Sequence, residues 1–261
     1  MPVSSLAREE ASLNEAWTAF LAHLPTMLLI WLASSAAILI AWLLGLVALW
    51  LCMAIFAEPL ANSTTGIYIS MIIFYVVQIP LWGFSQLVGI LCLAVPALYY
   101  AFGEVVTISD AFRTLFSRPL RYISAGILFS IAILIGSLFC IVPGIAVGLI
   151  RPDLTTGVLP FIATVGGLLV SLIPCIVVLL TMPVYVNKIF ATEMSVLDAF
   201  ASSFSAVYKS ERGWAFVGIQ LLVGIGIFIF SFCTCGLGAL IAAPVGIFYV
   251  QHTAYNKGLV S

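Results

Sequence analysis

Histidine is the side chain best suited to proton transfer or metal binding near neutral pH, and the chain contains two, His23 and His252. Their spacing is not that of metal ligands, so a structural role is favoured for each. The sequence also lacks a phosphate-binding loop, a His-Glu-x-x-His motif and a Gly-x-Ser-x-Gly elbow. No pair of residues has the pattern of a base and a nucleophile. We therefore expect no catalytic, cofactor or metal site.

Six cysteines are the other residues that could bind a metal or change redox state. Cys233 and Cys235 are separated by one residue, and the acidic or histidine ligands that usually complete a metal site are missing nearby. A disulfide between Cys140 and Cys233 is conceivable if both face an oxidising compartment. The favoured interpretation is that the cysteines fill apolar space.

Three glutamines, Gln78, Gln86 and Gln220, lie inside apolar segments. Coupled transport usually leaves ionisable residues in the middle of membrane crossings, and the sequence places none there. Glutamine amides can also hydrogen-bond one membrane helix to another. We therefore favour packing over contact with a solute for each glutamine, and solute contact stays open as the alternative.

Composition indicates what kind of protein must position these residues. Of the 261 residues, 64% are hydrophobic and 7% are charged. Such values are typical of an integral membrane protein, whose helical crossings each need about 20 apolar residues. The uncharged intervals predict six transmembrane helices, over 24–56, 66–101, 122–149, 157–186, 213–233 and 237–256. The last two are divided at Cys233–Gly238, where glycines suit a tight reversal.

A short sequence occurs three times, at 12–17, 107–112 and 195–200. Each copy places a hydroxyl residue, Ser12, Thr107 or Ser195, three residues before an acid, which is the pattern of a capped helix start. Two long apolar stretches follow each copy. We predict an all-α integral membrane protein with a single domain, 1–261, built from three parallel repeats at approximately 12–103, 107–190 and 195–257. Each repeat is an amphipathic helix at the cytoplasmic interface followed by a transmembrane hairpin.

The repeated helices are predicted to be amphipathic and too short to span a bilayer, so they should rest at its surface. Cations near a charged leaflet contribute about 1 kcal/mol each. The candidates for contact with lipid or a partner are therefore aromatic and basic residues of these helices: Trp17, Phe20, Phe112, Phe116, Arg113, Arg118, Arg121, Phe200 and Phe204.

The basic residues predict the orientation of the chain. With six crossings, every lysine and arginine except Arg151 falls on the side of the termini. Because positively charged loops stay in the cytoplasm, both termini should be cytoplasmic. The expected location is a bacterial cytoplasmic (inner) membrane or another energy-transducing membrane.

Small residues indicate where helices approach closely. Gly144 and Gly148 are four residues apart, and Gly238, Ala242 and Gly246 form a ridge of small residues. Such ridges let membrane helices pack closely. Packing within the chain is favoured over a dimer interface.

Two segments carry a resemblance to a known group of proteins. They are Cys-Ile-Val-Pro-Gly-Ile at 140–145, and 195–204 leading through Lys209 and Gly213–Trp214 into an apolar hairpin. They resemble bacterial six-helix membrane proteins that include YciC-like proteins and the membrane domain preceding some glycerophosphodiester phosphodiesterases. The resemblance runs from about Ile108 to the C-terminus and implies the six-helix fold. The phosphodiesterase catalytic domain has no counterpart in this chain.

These observations favour a non-enzymatic multi-pass membrane protein. We expect an accessory or scaffold subunit that associates with membrane lipids or a membrane protein complex. The alternative is a channel or carrier for a small or lipid-like solute, passing along the axis between the three hairpins. A net charge of −1 without a basic run excludes nucleic acid as a partner.

Overall fold

The computed structural model describes residues 4, 6–60, 93–132, 135 and 158–260. Apart from turns and a short 3-10 helix, Leu6–Arg8, these residues form α-helices, and no strand occurs among them. The helices are α1 (Leu13–Leu60), α2 (Leu93–Phe102), α3 (Ile108–Ser117), α4 (Pro119–Ala132), α5 (Val158–Ala191), α6 (Val196–Tyr208), α7 (Glu211–Cys233) and α8 (Ala239–Asn256). The prediction of an all-α protein is confirmed for this part of the chain.

Among the described residues, three helical stretches are long and apolar enough to cross a membrane: Leu13–Ala48, Ile173–Ala191 and Glu211–Cys233. Helix α8 coincides with the last predicted crossing but is not among them, because its final residues include the polar Gln251, His252 and Asn256. Most of the predicted crossings 66–101 and 122–149 lies outside the described residues. Membrane association is thus supported, while six crossings stay a prediction.

The predicted helix starts are confirmed. Helices α1, α3 and α6 each begin one residue after the hydroxyl residue of a repeat copy. The hydroxyl oxygen accepts the backbone N–H three residues later, at 3.2 Å for Ser12 and Glu15, 3.3 Å for Thr107 and Asp110, and 3.1 Å for Ser195 and Asp198. In α3 the Asp110 carboxylate also accepts the Thr107 N–H at 3.1 Å, which closes a capping box.

The first copy differs from the other two in the length of its helix. Helix α1 runs without interruption from Leu13 to Leu60, so the predicted surface helix and the first predicted crossing are one helix. It continues through Pro25, whose missing N–H removes one hydrogen bond without ending the helix. By contrast, α3 ends at Ser117, just before Pro119, and a new cap at Ser210 separates α6 from α7.

The chain forms two compact units. The first comprises Met1–Phe20, Pro96–Glu104 and Ile127–Ser261, and the second comprises Leu21–Val95 and Val105–Gly126. In the first unit, α8 packs on α5 and α7, and α6 packs on α5 and α7. In the second unit, the buried His23 accepts the Val106 N–H at 3.0 Å, and the Thr26 hydroxyl donates to the Val106 carbonyl at 3.2 Å.

Glycines determine how closely α7 approaches its neighbours in the first unit. A Cβ on Gly246 would lie 2.7 Å from Ile227 Cδ1, and one on Gly238 would lie 2.6 Å from the Phe230 ring. Two residues of the predicted small-residue ridge, Gly238 and Gly246, therefore pack within the chain, while the choice between chain packing and a dimer interface stays a prediction. The predicted reversal is also confirmed, because α7 ends at Cys233 and α8 begins at Ala239, with Gly236 at a φ of +90°. Gly144 and Gly148 lie outside the described residues.

Candidate functional site

Polar side chains of the first unit gather around the C-terminal half of α8. The His252 ring is 2% exposed and stacks on Tyr100 of α2, with 4.5 Å between ring centroids. Its Nε2 lies 2.9 Å from the Leu6 carbonyl oxygen. The Glu15 carboxylate lies 3.8 Å from Nδ1, which is beyond hydrogen-bond distance. One histidine thus joins α8 to α2 and to the segment before α1.

The segment before α1 is held by further hydrogen bonds to α2 and α8. Ser4 Oγ donates to the Tyr100 carbonyl at 2.5 Å, and the Ser4 N–H donates to the Ala101 carbonyl at 3.3 Å. Asn256 Nδ2 donates to the Glu9 carbonyl at 2.9 Å. We call Ser4 and Leu6–Glu9, together with the residues of α2 and α8 that bind them, the N-terminal clasp.

A second group of buried polar residues joins α5 to α8 and α6. Asn187 is fully buried, and its Nδ2 donates to the Gln251 carbonyl at 3.4 Å. Lys188 Nζ donates to Ser202 Oγ at 3.2 Å. Within the described residues, Asn187 Oδ1, Tyr100 Oη and His252 Nδ1 are buried atoms without a hydrogen bond. Tyr100 and Asn187 were not predicted from the sequence, since neither lies in a motif and their partners are distant along the chain.

Both histidine rings contact backbone groups of the chain. The preference for structural histidines agrees with His23 bonded to Val106 and His252 near the Leu6 carbonyl. Among the residues that the structure describes, no three His, Cys, Asp or Glu side chains form a group that could hold a metal ion. The free cysteines Cys233, at the end of α7, and Cys235, in the α7–α8 turn, are both exposed, and Cys140 lies outside the described residues.

Gln220 is the one predicted intramembrane glutamine that the structure describes, since Gln78 and Gln86 lie outside the described residues. Its Nε2 donates to the Leu180 carbonyl of α5 at 2.9 Å. Leu180 lies inside α5, one turn before Pro183. Gln220 therefore hydrogen-bonds α7 to the backbone of the neighbouring helix α5.

The aromatic candidates of the first and third copies differ in how far their side chains are buried. Trp17 is 42% exposed, whereas Phe20, three residues later, is buried. Phe200 packs against Tyr185 of α5 with 5.4 Å between ring centroids, and against Phe204 with 5.0 Å. Phe20, Phe200 and Phe204 therefore make contacts inside the first unit, while Trp17 keeps an open surface.

Helix α3, in the second unit, carries the remaining candidates. Its buried face is Ala111 and Leu115. Phe116 is exposed and stacks on Phe112 at 6.2 Å, Arg113 and Arg118 are exposed, and Arg121 at the start of α4 is half-buried. Hydrogen bonds from the Thr107 hydroxyl and N–H hold the pKa of Asp110 below its usual value. The exposed side of α3 thus carries an aromatic ring and Arg113, with Arg118 just after the helix end.

An apolar groove lies between α7 and α8, with a cavity volume of about 690 Å³. Its walls include Val223, Gly226 and Ile227 of α7 and Val245 of α8, and Trp17 and Tyr249 contribute aromatic rings. Sequence patterns did not predict this groove, because it depends on which faces of two apolar helices turn toward each other.

No family model matches the chain, and neither does any curated protein or solved structure. What this chain does is therefore inferred from its own residues.

Proposed function

We propose that the chain is a non-enzymatic multi-pass membrane protein that serves as an accessory or scaffold subunit. It would cross the membrane six times as three parallel repeats, with both termini in the cytoplasm, and would associate with lipid or with a membrane protein complex. The likeness to six-helix bacterial membrane proteins fits this architecture.

One observation carries the proposal: both histidines, and the one predicted intramembrane glutamine that is described, contact the backbone of the chain. His23, His252 and Gln220 each contact a main-chain N–H or carbonyl in another segment. Side chains used in this way stabilise the fold and are not directed at a substrate. The open surfaces of the described residues are largely apolar, with exposed leucine, isoleucine and phenylalanine side chains along α1 and α7. Apolar surface of this kind suits contact with lipid or with another membrane protein.

The alternative of a channel or carrier gains no support from Gln220, whose amide donates to Leu180. Transport would require a polar pathway, and Gln220 is the only one of the three glutamines that is described. Uptake of radiolabelled solutes into vesicles containing the purified protein would test this alternative directly.

The exposed side of α3 supplies a test of the scaffold proposal. Phe116 is 62% exposed beside Arg113 and Arg118, which suits binding at an anionic membrane surface or to a partner. We expect Phe116→Glu to reduce the protein or lipid that copurifies in mild detergent by about tenfold, the effect of losing about 1.4 kcal/mol. Mass spectrometry of the purified material would measure the ratio of bound partner or lipid to chain.

The matched control is Ser117→Glu, which adds the same charge to the next residue of α3, also exposed. It should copurify with the same material as the unchanged protein. An equal loss of copurifying protein or lipid in both variants would show that the added negative charge, and not the loss of the Phe116 ring, is responsible. The exposed side of α3 would then no longer support the proposal. A chain that purifies alone and carries a solute into vesicles would contradict the proposal.

A further inference from the structure

The groove between α7 and α8 has the length of one membrane leaflet. Along α7 its walls extend from Ile219 to Phe230, and along α8 from Ile241 to Tyr249. At a rise of 1.5 Å per residue these stretches measure roughly 16 Å and roughly 12 Å. Half of a hydrocarbon core of about 30 Å is roughly 15 Å. A transmembrane helix of a partner would run along the whole core, so the groove is short for a helix and suited to a lipid acyl chain.

One end of the groove has the residues expected where lipid meets water. Trp17 and Tyr249 both line it, and Glu15, two residues before Trp17, lies 3.8 Å from His252, one turn beyond Tyr249. Tryptophan and tyrosine concentrate at membrane interfaces because each joins an apolar ring to a polar group. The opposite end approaches the α7–α8 turn and is walled by Phe230 and Ile241. An acyl chain could thus enter beside polar groups and continue between apolar side chains.

Two glycines shape the groove in opposite ways. A Cβ on Gly246 would lie 2.7 Å from Ile227 Cδ1, so this glycine draws α8 close to α7 and forms the floor. Gly226 also lines the groove, but no heavy atom of the described residues lies within 4 Å of a Cβ placed there. Gly226 therefore keeps the groove open. The cavity of about 690 Å³ is within the range of 300–1,000 Å³ that is typical of small-ligand sites.

We propose that this groove binds one acyl chain of a bilayer phospholipid, with the headgroup at the end marked by Trp17 and Tyr249. The inference rests on the proposed function in that α7 must lie in a membrane. It adds a defined lipid site to the general lipid contact of a membrane protein. The bound acyl chain would pack against both helices of the α7–α8 hairpin.

A pair of glycine substitutions in α7 tests the site. Gly226→Leu places a side chain in the groove, and a Cβ at this position meets no described atom within 4 Å beyond the neighbouring backbone. Gly224→Leu is the matched control, since Gly224 is in the same helix, is equally open and does not line the groove. Native mass spectrometry of each protein, extracted in mild detergent, would count the phospholipids retained per chain. We expect one retained phospholipid in the unchanged protein and in Gly224→Leu, and about a tenfold lower retention in Gly226→Leu.

A second measurement does not depend on how Gly226→Leu folds. Phospholipids brominated at defined acyl positions quench tryptophan fluorescence on contact, and the difference between the unchanged protein and Trp17→Phe isolates the signal of Trp17. We expect the strongest quenching of Trp17 from bromines near the glycerol end of the acyl chain, because Trp17 stands at the entrance of the groove. Quenching that is independent of bromine position would contradict the assignment.

Other outcomes separate this inference from the proposed function. Equal phospholipid retention in all three proteins, or loss of a protein chain instead of a lipid in Gly226→Leu, would overturn the lipid site while leaving the scaffold proposal standing. Release of the unchanged protein from membranes by alkaline carbonate would overturn both, because α7 would then not lie in a bilayer.

Discussion

At the scale of single residues, glycines decide how closely the helices of the first unit pack. Gly213, in the first turn of α7, is buried, and a Cβ there would collide with the backbone carbonyl of Val207 at the end of α6. Gly218, five residues later, is exposed, with no described heavy atom within 4 Å of the same construction. The same residue type thus has a packing role at one position and none at the other.

Gly213→Ala should destabilise the protein by about 2 kcal/mol, because a backbone carbonyl cannot rotate away from the added methyl group as a side chain could. Gly218→Ala should raise stability by up to about 1 kcal/mol, since alanine favours the helix interior over glycine. Thermal unfolding in detergent, followed by circular dichroism, would measure both. Equal midpoints for the two variants would refute the close approach of α6 and α7.

At the scale of elements, the N-terminal clasp depends on α8. His252 lies near the Leu6 carbonyl and stacks on Tyr100, while Asn256 bonds to the Glu9 carbonyl one turn later. These contacts hold a segment that has little regular structure before Leu13. Because the contacts are few, the segment should open locally more easily than the helices it binds.

His252→Phe should preserve the stacking on Tyr100 and remove the contact with the Leu6 carbonyl. The loss of about 1 kcal/mol would increase the open population of the clasp about fivefold. Cleavage by trypsin after Arg8, followed by intact mass, would report this opening. Tyr249→Phe, also on α8, is the control and should be cleaved at the unchanged rate. Equal cleavage rates in the unchanged protein, His252→Phe and Tyr249→Phe would show that the His252 contact does not hold the clasp closed.

At the scale of the whole molecule, topology is the property that most constrains function. The part of the chain that the structure describes contains three helical stretches long and apolar enough to cross a membrane, and the basic residues predict that both termini lie in the cytoplasm. With that topology the α7–α8 turn, with the exposed Cys233 just before it and the exposed Cys235 in it, faces the opposite side. The two thiols therefore report the orientation of the α7–α8 hairpin.

A membrane-impermeant maleimide added to intact spheroplasts should label Cys233 and Cys235, because both thiols are exposed at the turn. A cysteine introduced by Lys257→Cys, just after α8, should react only after the membrane is permeabilised. Peptide mass spectrometry would locate each modification, and Cys233→Ser with Cys235→Ser supplies the background. Labelling of Lys257→Cys in intact spheroplasts would reverse the predicted orientation.

The sequence predicted the local features of the fold and few of the contacts that build the candidate site. Ser12, Thr107 and Ser195 marked three helix starts correctly, and Gly236 and Gly238 lie in the predicted reversal. The uninterrupted α1 was not predicted, because a change from an amphipathic to an apolar pattern near residue 24 suggested a boundary there. The stacking of Tyr100 on His252 was not predicted either.

Sequence by itself determined the interactions between residues close together in the chain, such as helix caps, and the class of protein that the composition indicates. A cap joins atoms three residues apart, so the sequence alone pairs Thr107 with Asp110 at a helix start. A chain with 64% hydrophobic residues has to bury them in lipid or in its own core. Only the tertiary structure decided that Gln220 meets Leu180, that His252 approaches Leu6, and that Gly226 opens a groove. Those pairings depend on which faces of similar apolar helices turn toward each other, and many such arrangements bury nearly the same apolar area.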